Sequence, residues 1–90
     1  PVIVVSEEEF NRVMPVVTIL PITSRKPGRT IYPNETLLPA GTAGLSADSI
    51  VLAHQIRTIA KPRLQKRLGN VTDASLKDAI HAALRIHLDL

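Results

Sequence analysis

The sequence predicts an α+β fold: a small barrel or strongly curled β-sheet followed by one amphipathic helix. Three observations carry this expectation. Apolar, β-branched runs such as Val2–Val5 and Val16–Ile22 recur between turn residues, as strands do. Seven prolines and four glycines in 90 residues keep each run short. The last quarter of the chain then switches to an apolar period of three and four residues, which is helical. A chain of 90 residues holds one domain, residues 1–90, and buries only about 60–65% of its unfolded surface. It contains no cysteine, so neither a disulfide nor a thiolate–zinc site stabilises it. An oligomer interface or further chain is the expected support.

The elements follow in order. Val2-Ile3-Val4-Val5 reads as a buried strand that begins at Pro1 without a preceding partner, which points to chain upstream. Ser6 and Glu9 form a capping-box pattern, and a short helix over 7–13 with Phe10 and Val13 facing inward is expected before Pro15. In Val16–Ile22 both alternating faces are largely apolar, as in a strand covered on both sides. Pro21 implies a bulge or lost pairing there. Thr23–Gly28 is a polar, basic loop. Short extended pieces are expected at Thr30–Tyr32 and Glu35–Leu38, then a loop over 41–49. Ser49–Ile59 alternates as one strand, with Ile50, Leu52, His54 and Ile56 on one face and Val51, Ala53, Gln55 and Arg57 on the other. Gln65–Val71 reads as an edge strand. Thr72 is the expected cap of a helix of about 14–16 residues bearing Leu76, Ala79, Ile80, Ala83, Leu84 and Leu88 on one side.

Charge is unevenly placed. The net charge is +3, yet residues 25–67 hold eight lysines and arginines against Glu35 and Asp48. A basic middle points to a polyanionic partner, nucleic acid or an acidic protein segment. No apolar run approaches the roughly 18–20 residues of a membrane helix, and no signal peptide is visible. The cytoplasm is therefore the default compartment.

Few enzyme classes fit the chemistry. His81 and His87 are six apart, about 240° round a helix, and form no two-ligand site. His54 sits in an apolar alternation. Neither a metal-ligand cluster nor a glycine-rich phosphate loop is present, so no metal or cofactor is expected. With only Phe10 and Tyr32 as aromatics, a binder that stacks bases on a row of rings is disfavoured. One constellation remains. A strand delivers Thr23 and Ser24 to its end, followed by Arg25, Lys26 and Arg29, and a second strand presents Gln55 and Arg57. Hydroxyls beside guanidinium groups can hold a phosphate and stabilise charge that develops on it. Gln55 can read a base edge through two hydrogen bonds.

Several blocks carry a resemblance: Pro1–Ser6, Asn11-Arg12, Val16–Ser24, the run Asp48–Ile59 with its Gln-Ile-Arg-Thr-Ile, Lys61–Leu64 and Leu68-Gly69. In this order and spacing they resemble the MazF/PemK toxins of type II toxin–antitoxin modules over nearly the whole chain. The resemblance implies an SH3-like curled β-barrel with a C-terminal helix, acting as a homodimer. It implies metal-independent, sequence-specific cleavage of single-stranded RNA, leaving a 2′,3′-cyclic phosphate and a 5′-hydroxyl. It also implies neutralisation by a cognate acidic antitoxin. Thr23 matches the family's catalytic threonine. The family's catalytic arginine immediately precedes the proline that Pro1 matches, so the domain as given lacks that residue, the first strand and the following loop. Ser24, Ser49 and Gln55 stand at positions resembling the family's RNA contacts, beside the basic Arg25, Lys26 and Arg57. A binding protein without catalysis, like the CcdB relatives, or a degenerate toxin that only binds antitoxin, is the alternative on the same fold.

Overall fold

The computed structural model describes residues 1–90. Strand β1 (Val2–Val4) leads into a six-residue helix α1 (Glu8–Val13), then the long strand β2 (Val16–Ser24). Strands β3 (Glu35–Leu38), β4 (Ser49–Leu52) and β5 (Arg57–Ala60) follow, and helix α2 (Ala74–Leu88) ends the chain. All strand pairs are antiparallel. The order is β1-β2-β4-β3, with β5 also on β2, and the five strands do not close on themselves.

β2 organises the sheet. One of its edges pairs with β1, Val2 opposite Pro21 and Val4 opposite Ile19. The other edge pairs first with β5, from Val16 to Ile19, and then with β4, from Ile22 to Ser24. The change of partner falls at Leu20-Pro21. Thr18 C=O and Ile22 N–H point toward β1, so the alternation aims the Pro21 nitrogen at the other edge, where the partner is changing. A residue that cannot donate costs nothing there. The 3₁₀ turn Ala53–Gln55 fills the same gap. This is why Ser49–Ile59 is two strands and a turn, not the single strand its alternation suggests.

One sheet face carries Leu20, Leu38 and Val51, which pack with Ala53 against Ile80 and Ala83 of α2. Removing such a buried leucine side chain costs about 2–5 kcal/mol. Thr36 Oγ1 donates to the Ala79 carbonyl at 3.2 Å and ties the helix to β3. The other face holds a smaller cluster of Val17, Ile19 and Ile59.

The short elements depart from the sequence reading. Glu7, not Ser6, caps α1 by accepting from the Phe10 N–H at 3.1 Å. Ser6 instead accepts from the Thr18 N–H at 3.0 Å and contacts the Asn11 side chain, locking α1 onto β2. Phe10 and Val13 face solvent, so α1 is held by polar ties and not by an apolar face. Asp73, one residue beyond Thr72, caps α2 by accepting from Leu76 N–H at 3.0 Å. No strand forms over Thr30–Tyr32 or Gln65–Val71.

Candidate functional site

The end of β2 builds the site. Thr23 lies opposite Ile50 and Ser24 opposite Ser49, and the ladder closes where Arg25 N–H donates to Asp48 O at 2.9 Å. On the β1 side, Ile22 N–H donates to Pro1 O at 2.9 Å, which brings the chain's start beside Thr23. The loop from Gly41 to Ala47 forms the facing wall. The backbone turns there through positive φ at Gly41, Ala43 and Gly44. A cavity of about 310 Å³ results, lined among others by Pro1, Thr23, Ser24, Ser46, Ser49 and Leu68. Its lining mixes the hydroxyls of Thr23, Ser24, Ser46 and Ser49 with apolar Leu45 and Leu68.

The hydroxyls are not equivalent. Thr23 and Ser24 are exposed at the strand end. Ser49 is buried, and its Oγ donates to the Ala47 carbonyl at 3.0 Å. Ser49 therefore braces the wall and does not present a free hydroxyl. Ser46, which sequence reasoning passed over as one more loop serine, lines the cavity and is exposed. Only the loop's fold reveals it, since the loop has no periodicity to read.

The basic residues divide. Lys26 is exposed in the loop after Ser24. Arg25 is exposed too, but its Nε and Nη2 donate to the Arg29 carbonyl at 3.2 and 3.0 Å, holding that loop. Gln55 lies in the turn between β4 and β5, and Arg57 opens β5 opposite Ile19. Neither lines the Thr23 cavity, so the geometry does not gather Gln55 and Arg57 with Thr23 within one protomer.

A second cavity, about 650 Å³, lies at the opposite end of β3 and β4. It is lined by Arg29, Tyr32, Asn34, Glu35, His54 and Ile86 among others. Its charges are already matched. Both Arg29 η-nitrogens grip Glu35, at 2.9 and 2.7 Å, and the Tyr32 N–H adds a third bond at 3.0 Å. These bonds hold the buried Glu35 carboxyl below the usual carboxylate range, against the opposing effect of burial. The guanidinium also lies 5.6 Å from the Tyr32 ring centre. His54 meets His87 edge to face, with ring centres 6.3 Å apart. Sequence reading missed the Arg29–Glu35 pair because a loop arginine and the first residue of the next strand, six apart, follow no rule of spacing. The smaller cavity is the candidate site, since Thr23, Ser24 and Ser46 line it from exposed positions and the exposed Lys26 nearby is in no ion pair.

Comparison with known proteins places the chain in a family. Residues 1–88 match the family of PemK-like, MazF-like toxins of type II toxin–antitoxin systems. The chain is 39% identical over 95 residues to endoribonuclease MazF9 of Mycobacterium tuberculosis, covering all of this chain and 78% of that protein. It superposes on the M. tuberculosis toxin MazF-mt6 with a TM-score of 0.85 at 28% identity, covering all of this chain and 86% of the other. A mycobacterial endoribonuclease solved with its cognate antitoxin gives 0.83 at 30% identity, covering all of this chain and 81% of that one. With its whole length matched and its fold shared, the chain belongs to the PemK-like, MazF-like toxins of type II toxin–antitoxin systems.

Proposed function

We propose that this protein is an endoribonuclease toxin that cleaves single-stranded RNA at the Thr23 cavity without a metal ion. The observation that carries the reading is the register of β1 on β2. Val2 faces Pro21 and Pro1 bonds to Ile22, so a residue preceding Pro1 would continue the ladder opposite Thr23. An arginine there would complete a hydroxyl–guanidinium pair across one phosphate.

The chemistry follows from that pair. The RNA 2′-oxygen bonds to the adjacent phosphorus as its proton leaves. The bond from phosphorus to the 5′-oxygen breaks, and that oxygen takes up a proton. The products are a 2′,3′-cyclic phosphate and a 5′-hydroxyl. Negative charge grows on the non-bridging oxygens during attack. The Thr23 hydroxyl, stiffened by β-branching, donates to one of them, and the arginine fork neutralises the charge. Ser24, Ser46 and Lys26 flank the phosphate on the neighbouring nucleotides. Gln55 and Arg57 reach RNA from a different part of the sheet, which a homodimer would bring to the same strand. Exposed Val2 and Val4 on β1, Ile86 and Leu88 on α2, and Leu90 just beyond it, are apolar surface that such a dimer would cover. An acidic antitoxin segment would compete with RNA for the basic surface. A role in binding alone is not favoured, because the relatives are named endoribonucleases.

The test is cleavage of RNA by the protein carrying its upstream residues, in excess EDTA, with the ends identified. Cyclic phosphate and 5′-hydroxyl ends are expected. A magnesium requirement or 5′-phosphate ends would remove this mechanism.

A further inference from the structure

The segment joining β5 to α2 is unusual in charge. Residues 61–72 contain Lys61, Arg63, Lys66 and Arg67 and not one carboxylate. The two ion pairs of the protein, Arg12 with Glu9 and Arg29 with Glu35, use none of these four. Arg63, Lys66 and Arg67 are all exposed, and Arg67 contacts only the neutral Asn70 side chain.

Its path is equally informative. It starts at the beginning of β2, where Lys61 N–H donates to Pro15 O at 3.0 Å. It arrives at the other end of β2, where Leu68 lines the Thr23 cavity. Lys61–Arg63 make one 3₁₀ turn, closed where Leu64 N–H donates to Lys61 O at 3.0 Å, and the four steps from Leu64 to Leu68 can reach about 13 Å. After that turn the segment leads as a strap from the Pro15 end of β2 to the cavity at the other end.

Two glycines fix where it lands. A Cβ on Gly44 would lie 2.7 Å from the Leu68 carbonyl oxygen, and one on Gly69 would lie 2.7 Å from that of Ala43. Backbone touches backbone at this crossing, closer than any other residue permits. Gly44 also needs its φ of +80°. The wall of the cavity and the end of the strap are thus one unit.

We propose that Arg63, Lys66 and Arg67 form a track for the phosphates of the RNA strand outside the cavity, held in register with Thr23 by the Gly44–Gly69 crossing. The inference rests on the RNA-cleaving reading of that cavity. RNA is the occupant because it carries one negative charge per nucleotide and already runs through the cavity that the strap adjoins. Lysine and arginine at an exposed backbone position give affinity without base preference.

The experiment measures affinity for a 2′-O-methyl copy of a cleaved RNA, which lacks the nucleophile, across a range of salt concentrations. Each phosphate contact on a single strand contributes a slope of about −0.7 in log affinity against log salt. Lys66→Gln/Arg67→Gln should make the slope shallower by about 1.4 and weaken binding about tenfold at 0.1 M salt. The cleavage rate at saturating RNA should stay at the parent's value. Gly69→Ala removes no charge and should still weaken binding. An unchanged slope in the double variant, while the parent cleaves, overturns the track alone. Loss of affinity for an acidic antitoxin peptide with none for RNA overturns it in favour of a protein contact. A parent that neither binds nor cleaves RNA overturns the functional reading and the track with it.

Discussion

The two ends of the β3–β4 ladder use charge in opposite ways. At the Glu35 end, Arg29 is spent on a buried carboxylate, and the pair is satisfied within the protein. At the Ser49 end, hydroxyls line a cavity, and the exposed Lys26 and Lys66 in the segments that lead to it have no carboxylate partner. Both ends draw on the same basic middle of the chain, yet at one end the cation is paired inside the protein and at the other the cations stay exposed. A count of basic residues cannot separate these roles. Only the positions of the few carboxylates do.

If the ends differ in this way, changes at each should fail differently. The largest effect is expected from Thr23→Val, which keeps shape and deletes a donor. Losing a single donor of this kind costs about 10²–10³ in rate. RNA affinity should change little, because the bond strengthens as charge develops. Thr23→Ser should keep much of the activity, and single-turnover cleavage measures both. Next is Arg29→Met, which strands Glu35 in a buried site. Breaking the pair should lower folding stability, by less than in a fully buried pair because Arg29 remains partly exposed. The pH dependence fixes the sign. The folded-state carboxyl is held below its ordinary range, so its stabilisation is complete above about pH 5 and fades as pH falls through the lowered value. Denaturant titrations of the parent should show that acid limb, and Arg29→Met should flatten it. The smallest effect is Asp73→Ala, which removes the cap of α2 just after the strap and should cost about 1 kcal/mol. Thr72→Ala, lacking that bond, should cost less in the same titration.

Much of the fold was legible because it rests on short-range rules. The alternation in Val16–Ile22 and the period through Leu76, Ile80 and Ala83 follow from burial alone. Helix caps missed by one residue, at Ser6 and Thr72, because neighbouring side chains compete for the same N–H groups. Ser49–Ile59 misled because a turn that buries Ala53 preserves an apolar alternation while ending the strand. Thr23 and Ser24 could be placed from sequence, since a strand end next to basic residues is a local feature. Ser46, Leu68 and the Gly44–Gly69 crossing could not, because two loops distant in sequence meet there.

The division of labour is tested most directly by measuring two quantities on two variants of the protein with its upstream residues. These are unfolding free energy and single-turnover RNA cleavage, for Thr23→Val and Arg29→Met. The expected result is a crossed pattern. Thr23→Val keeps its stability within about 0.5 kcal/mol and loses its rate. Arg29→Met loses stability and, where it is still folded, cleaves like the parent. A Thr23→Val protein as active as the parent would contradict the account and leave Thr23 as no more than the end of a strand.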